Sequence, residues 1–239
     1  MSGSIPSTVF THTNLQLLEL GRNDWNGSLP DTAALTQSQL QVLHLDHAGL
    51  TGTIPESLSS SLRSLRLNDN ILQGTLPATL TTSTALQQLW LQNNAIAGSL
   101  PVGWGRYRQL EDLRLASNSI TGSIPLGYYT NLIQLQRLEL EDNALTGSLA
   151  ASVGEWDQLR ILKLSGNNLF GTIPEAIGSL ADTLRVLYLN GNLFRGSMPC
   201  SSFAASDIEF LQVDCEEVTD CTCCTACCAA SGECATLLI

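Results

Sequence analysis

The sequence predicts an α/β solenoid, a horseshoe of about eight full coils whose strands line one concave parallel sheet. Three observations predict it. A hexad Leu-x-x-Leu-x-Leu recurs eight times, each copy starting 22 to 25 residues after the last, and a degenerate ninth copy reads FLQVDC at 210–215. An Asn follows the hexad by three residues in seven of the eight copies. All eight prolines close a Gly-[Ser/Thr]-[Ile/Leu/Met]-Pro tetrad. A fixed period of about 24 residues is the signature of a stacked architecture, because one such unit cannot bury its apolar face alone.

Each element follows from its residues. The chain begins inside a coil, with the tetrad GSIP at 3–6. The hexads LQLLEL (15–20), LQVLHL (40–45), LRSLRL (62–67), LQQLWL (86–91), LEDLRL (110–115), LQRLEL (135–140), LRILKL (159–164) and LRVLYL (184–189) alternate at their Leu-x-Leu end. Period two turns those leucines inward and the residue between them to solvent. The Asn column is Asn23, Asn70, Asn94, Asn118, Asn143, Asn167 and Asn192, with Ala48 as the exception. A short amide where the chain leaves a strand satisfies backbone groups of the turn, so the column predicts a hydrogen-bonded ladder. In the tetrads Gly permits a tight bend and Pro fixes φ where no donor is needed. Only the copy at 147–150 departs, with Ala150 in place of Pro. Aromatics make up 5% of the chain, which predicts an aliphatic core.

The combined motif LxxLxLxxNxLxGxIP resembles the plant-type leucine-rich repeat. Receptor-like kinase and receptor-like protein ectodomains and polygalacturonase-inhibiting proteins carry that repeat. The resemblance covers about residues 1–215. It implies a leucine-rich-repeat horseshoe with a second, lateral sheet along the Gly-x-Ile-Pro stretch, and partner binding on the concave sheet. The N-terminal cysteine cap of that family is absent, so the native chain is expected to begin earlier. The tail CTCCTACC is similar to the ends of leucine-rich-repeat proteins of some single-celled algae.

Composition removes several function classes. The net charge of −11, from 11 basic and 22 acidic residues, argues against nucleic acid or an anionic membrane as partner. No run reaches the length of a transmembrane segment, and the start shows no signal peptide. No nucleophile elbow, phosphate loop or HExxH motif is present, so neither enzymatic activity nor a cofactor is expected.

The solenoid is expected to span 1–214, followed by a cysteine-rich cap at 215–239. All eight cysteines, Cys200, Cys215, Cys221, Cys223, Cys224, Cys227, Cys228 and Cys234, lie in the last 40 residues. Small polar residues around them cannot build a core, so disulfides are expected to staple this end, in one of 105 pairings. A thiolate metal cluster in an intracellular scaffold is the competing reading. The triplet Asn26-Gly27-Ser28 is a glycosylation acceptor and, with the cysteines, points to an extracellular or cell-surface location.

The residue between the last two leucines of each hexad forms a concave column: Glu19, His44, Arg66, Trp90, Arg114, Glu139, Lys163, Tyr188 and Asp214. Strands stacked about 4.8 Å apart place Trp90 between Arg66 and Arg114. Trp and Arg are the usual anchors of binding hot spots, and an Arg beside Trp can hold a carboxylate. The site assigned to a protein, peptide or glycan ligand is therefore His44, Arg66, Trp90, Arg114, Glu139, Lys163 and Tyr188. The bland alternative is a solvated ladder in which Asp69 and Asp112 neutralise the arginines. Glu139, Glu141 and Asp142 form an acidic end suited to a basic partner. His44, Asp46 and His47 share a face, but no metal site is assigned to them. A lateral column, Ser4, Ser28, Thr53, Thr75, Ser99, Ser123, Ser148, Thr172 and Ser197, offers the alternative of a structural solenoid facing a matrix or ice.

Overall fold

The computed structural model describes the chain apart from residues 1–2, 13, 30–34, 36–38, 204–205, 215–217, 220–221, 229–233 and 237–239. Nine three- to five-residue parallel strands make the concave sheet, in chain order: Leu17–Glu19, Val42–His44, Ser64–Arg66, Gln88–Trp90, Asp112–Arg114, Arg137–Glu139, Ile161–Lys163, Val186–Tyr188 and Phe210–Asp214. Their middle leucines face one another in register, Leu65 with Leu89 and Leu89 with Leu113 for example. The paired leucines are buried and head one continuous core. Ala226–Cys228 adds a parallel strand beyond the ninth, and Cys234–Thr236 closes the sheet antiparallel to it.

The Asn column forms the expected ladder and spans two coils at each rung. Asn167 is buried. It donates Nδ2–H to the carbonyls of Leu164 and, one coil back, Leu140, each at 3.0 Å, while its Oδ1 accepts the Leu145 N–H at 3.0 Å. Asn118, Asn143 and Asn192 repeat that arrangement. The exception at Ala48 has a compensating donor. An Asn there would reach back to the Leu20 carbonyl. Instead the indole Nε1–H of Trp25 donates to that carbonyl at 2.9 Å. The ladder therefore continues with a residue of the preceding coil.

The lateral sheet is present in two pieces. Gln73–Thr75, Ala95–Ser99, Ser119–Gly122 and Ala144–Leu145 form one, and Phe170–Thr172, Leu193–Ser197 and Val218–Thr219 the other. Its glycines are needed for a specific reason. Gly98 has φ +81°, and a Cβ there would lie 2.9 Å from Cγ2 of Thr75 in the coil before. Each Ser or Thr thus packs over the glycine of the next coil, which gives the hydroxyl column a structural role.

Among the described residues the convex segments include short 3-10 helices and an α-helix at Leu126–Asn131. They start just after the tetrad, where Pro77, Pro101, Pro125 and Pro174 sit at φ −62° to −70°. Ala150 adopts the same conformation, φ −73° and ψ 150°. Because this φ already suits Pro, Ala150→Pro is expected to gain about 0.4–1 kcal/mol, the usual value of a compatible Pro. Thermal unfolding measures it, and a loss of stability would show that the Ala150 N–H is needed.

One expectation needs correction. The core is not wholly aliphatic. Trp104, Tyr107, Tyr128, Tyr129 and Trp156 are among the largest fully buried side chains and fill the convex half of the central coils. Three of them satisfy their polar atoms there. Trp104 Nε1–H donates to the Pro77 carbonyl, Tyr128 Oη–H to that of Pro101, and Trp156 Nε1–H to that of Tyr128, at 3.1, 3.2 and 2.9 Å. Each bond ties one coil to the previous one, doing on the convex side what the Asn ladder does beside the sheet.

At the C-terminal end Cys200 and Cys223 form a disulfide across 23 residues of chain, with their Cα atoms 5.3 Å apart. Cys224 and Cys228 are disulfide-bonded as well. Cys215 and Cys221 lie outside the described residues, as do the side chains of Cys227 and Cys234. The Thr225 hydroxyl accepts the Leu211 N–H at 2.7 Å, docking the tail on the ninth strand.

Candidate functional site

The parallel register brings the concave column together side by side: Glu19 with His44, His44 with Arg66, Arg66 with Trp90, Trp90 with Arg114, and Arg114 with Glu139. Lys163 lies between Glu139 and Tyr188. Both guanidinium carbons sit 3.8 Å from the Trp90 ring centre, one on each face. Stacking of this kind is attractive because the ring face carries negative quadrupole density.

The two arginines are not equivalent. Arg114 grips Asp112 with Nε–H and Nη2–H at 2.9 and 2.7 Å and lies 3.8 Å from Glu139. Burial disfavours its charge, but the bond to Asp112 and the nearby carboxylates outweigh that and raise its pKa. Arg66 has no carboxylate within 4 Å among the described residues. Its Nη2–H donates to Oε1 of Gln88 at 3.0 Å. Its Nε and the Nε1 of Trp90 are buried without an acceptor. Asp69, the expected partner of Arg66, instead accepts from Asn93 Nδ2–H at 2.7 Å and lies 3.6 Å from His47.

His44 completes the N-terminal half. Its Nδ1 lies 3.0 Å from Glu19 Oε1 and its Nε2 2.8 Å from Ser64 Oγ. Burial, followed by the charge of Arg66, lowers its pKa from the usual histidine value. Ser64 has one proton to give, and both Gln88 Oε1 at 3.1 Å and a neutral His44 Nε2 compete for it. Protonation of His44 resolves that competition, since Nε2–H then donates to Ser64 and Ser64 to Gln88. His47 belongs to another cluster, 3.5 Å from Asp46.

The C-terminal half differs from expectation at Glu139, which is buried rather than exposed. Lys163 Nζ, Arg137 Nη1 and Arg114 Nε surround it at 2.8, 3.3 and 3.8 Å. Three cations already claim this carboxylate, so it does not offer a free acidic end to a basic partner. Glu141, whose pKa is raised mainly by burial, lies 3.8 Å from Lys163. Asp214 is also buried and turned to structure, accepting the Gly191 and Asn192 N–H groups at 2.8 and 3.1 Å. Tyr188 takes Lys163 over its ring at 5.9 Å.

Of the second concave column, two residues before the first, sequence reasoning named Asp112 as a partner of the arginines, which the structure bears out, but missed Ser64 and Gln88. Ser64, Gln88, Asp112 and Arg137 hold the first column in place, as the bonds above record. It also missed a left-handed turn position two residues after each hexad: Arg22, His47, Asp69, Asn93, Ser117, Asp142, Gly166 and Gly191 have φ between 50° and 66°. The glycines of the last two coils were the available signal.

The Leucine Rich Repeat family profile matches residues 39–60 and 158–180. The solved TDR receptor superposes with a TM-score of 0.84 over 91% of this chain, at 30% identity. This chain is a leucine-rich-repeat solenoid. It is also similar to the Arabidopsis receptor kinase HAESA, solved with the peptide hormone IDA and the co-receptor SERK1 (TM-score 0.83, 26% identity, 99% of this chain). Over 79 residues, 33% of its length, it is 39% identical to Receptor-like protein 35 of Arabidopsis thaliana. The repeats are thus homologous to those of plant receptor-like proteins. The solenoid spans 8% of that receptor-like protein and 37% and 42% of the two solved receptor chains. Among the described residues no helix is long and apolar enough to cross a membrane.

Proposed function

We propose that this solenoid is a recognition module, at the cell surface or outside the cell, that binds a carboxylate-bearing peptide or protein segment on its concave face. Arg66 and Trp90 are the anchor. The observation that carries the reading is the Arg66 guanidinium stacked 3.8 Å over the Trp90 ring with no carboxylate within 4 Å among the described residues. An acidic side chain or terminal carboxylate supplies the missing charge at the guanidinium, and a neutral sugar supplies none. Arg114, already gripped by Asp112, serves as the rear wall that fixes the ring. The peptide hormone bound to the similar receptor kinase HAESA supports a peptide as the ligand class.

Panning a phage-displayed library of random dodecapeptides on the whole protein tests this. Peptides rich in Asp and Glu are expected to be enriched. Arg66→Ala and Trp90→Ala are each expected to weaken the selected peptides about 30-fold, the ratio for losing a hot-spot contact of about 2 kcal/mol. Thr75→Leu, on the lateral face, is expected to leave binding unchanged. Equal binding by Arg66→Ala would remove the anchor, and loss with Thr75→Leu would move the site to the hydroxyl column.

A further inference from the structure

Four side chains in series join the N-terminal edge of the concave sheet to the Trp90 stack. Glu19, His44, Ser64 and Gln88 follow one another, and Gln88 holds Arg66. Donors and acceptors along this chain do not balance while His44 is neutral. Both ring nitrogens face acceptors, Nδ1 at 3.0 Å from Glu19 Oε1 and Nε2 at 2.8 Å from Ser64 Oγ. With its proton on Nε2, the ring frees the Ser64 hydroxyl to donate to Gln88 but sets a bare Nδ1 against the Glu19 carboxylate. With its proton on Nδ1, the ring satisfies Glu19 and takes the Ser64 proton at Nε2. Ser64 then turns a lone pair to Gln88 Oε1, 3.1 Å away. A neutral imidazole has one N–H and cannot serve both sides, whereas the imidazolium has two. The charge-assisted bond to Glu19 is the stronger, so the neutral ring keeps its proton on Nδ1.

The consequence falls on Arg66. Gln88 Oε1 accepts from Ser64 at 3.1 Å and from Arg66 Nη2–H at 3.0 Å. When Ser64 offers a lone pair instead, the Gln88 amide satisfies it by turning its NH2 group over. That same turn sets an N–H against the Nη2–H of Arg66, two donors with no acceptor between them. No carboxylate lies within 4 Å of Arg66 among the described residues to take over the hold. The guanidinium, 3.8 Å over the Trp90 ring, is then free to shift. The charged groups facing His44 are Glu19 and Arg22 from the coil before, Asp46 from its own coil and Arg66 from the coil after. Burial, then Arg66, outweigh the two carboxylates, so His44 titrates below the ordinary histidine value.

We infer that His44 is a proton-operated latch on Arg66, closing the Ser64–Gln88–Arg66 chain when protonated and opening it when neutral. The latch needs no ligand and stands apart from the peptide-binding reading. Its consequence for binding rests on that reading: a carboxylate at Arg66 offsets the positive charge that opposes protonation of His44. Binding therefore draws in a proton and strengthens as pH falls through the His44 midpoint.

Nuclear magnetic resonance of the 15N-labelled whole protein, without ligand, tests the latch. The chain has three histidines and four tryptophans, and His44→Gln and Trp90→Phe assign the relevant signals by removing them. His44 is expected to show two protonated nitrogens at low pH and a bare Nε2 above its midpoint. The Trp90 indole N–H signal is expected to shift with that same midpoint. In Ser64→Ala and in Gln88→Ala, His44 is expected still to titrate while the Trp90 signal no longer follows it. Circular dichroism checks that each variant keeps the wild-type fold. A Trp90 signal that stays fixed through the His44 midpoint overturns the latch. So does one that follows it equally in both variants, since charge alone would then reach the ring. The affinity of the selected acidic peptides on either side of the midpoint tests the coupling. Equal affinities beside an intact latch overturn the coupling alone, and selection of no acidic peptide overturns the peptide reading and leaves the latch standing.

Discussion

Asn167→Ala lowers the unfolding free energy by about 2–4 kcal/mol, because it leaves the buried Leu145 N–H without an acceptor, at about 1–3 kcal/mol, and takes one of two amide donors from each of the Leu140 and Leu164 carbonyls, which keep Asn143 and Asn192. The side chain donates to the carbonyls of Leu140 and Leu164 and accepts from the Leu145 N–H, and it is buried. Water cannot take over those bonds without opening the turn. Asn167→Asp is expected to be at least as damaging. It keeps the acceptor but aims a carboxylate at two carbonyls where an amide donated. Urea denaturation followed by circular dichroism gives both values. Tolerance of Asp would mean that the column is solvated and that the ladder does not hold the coils together.

Glu139→Gln is the second large effect. Glu139 is buried and neutralises Lys163, Arg137 and Arg114 at once. Removing one partner of a buried ionic cluster costs about 3–5 kcal/mol when the rest stays buried. Side-chain exposures of 33% for Arg137 and 26% for Lys163 let water offset part of that, so about 2–4 kcal/mol is expected. Gln keeps the shape and removes only the charge, which separates electrostatics from packing. Added salt should restore part of the loss, since the freed cations then gain a screening atmosphere. An unchanged urea midpoint would reduce the cluster to surface decoration.

The fold was legible because its determinants are periodic. Leucines at fixed offsets fix strand and register together, so the order of the concave column could be written down before any coordinates. What stayed hidden was set by contacts between coils rather than by the repeat. Ala48 breaks the Asn column, and nothing in its own hexad announces that Trp25 supplies the donor. Ala150 breaks the Pro column yet keeps the conformation Pro takes in the other coils, so the break leaves no mark on the turn. The buried aromatics are few in number, but they concentrate in the convex half of a few coils, which an overall percentage conceals. In the site, adjacency of Arg66, Trp90 and Arg114 could be read from spacing. That Arg114 is neutralised and Arg66 is not depends on the second column, where Asp112 stands in one strand and Ser64 in the other. Burial of Glu139 likewise follows from three cations converging from three strands.

The most direct test of an open, electropositive anchor needs no ligand. Trp25, Trp104 and Trp156 are buried at 8%, 1% and 0% exposure, so collisional quenching of tryptophan fluorescence reports Trp90 on the concave face. Relative to their quenching of free N-acetyltryptophanamide, iodide is expected to quench more than caesium, against the trend set by a net charge of −11, and Arg66→Gln is expected to abolish that excess. An iodide-to-caesium ratio no higher than that of the free indole, or one indifferent to Arg66, would show that the guanidinium is already neutralised and would contradict the anchor.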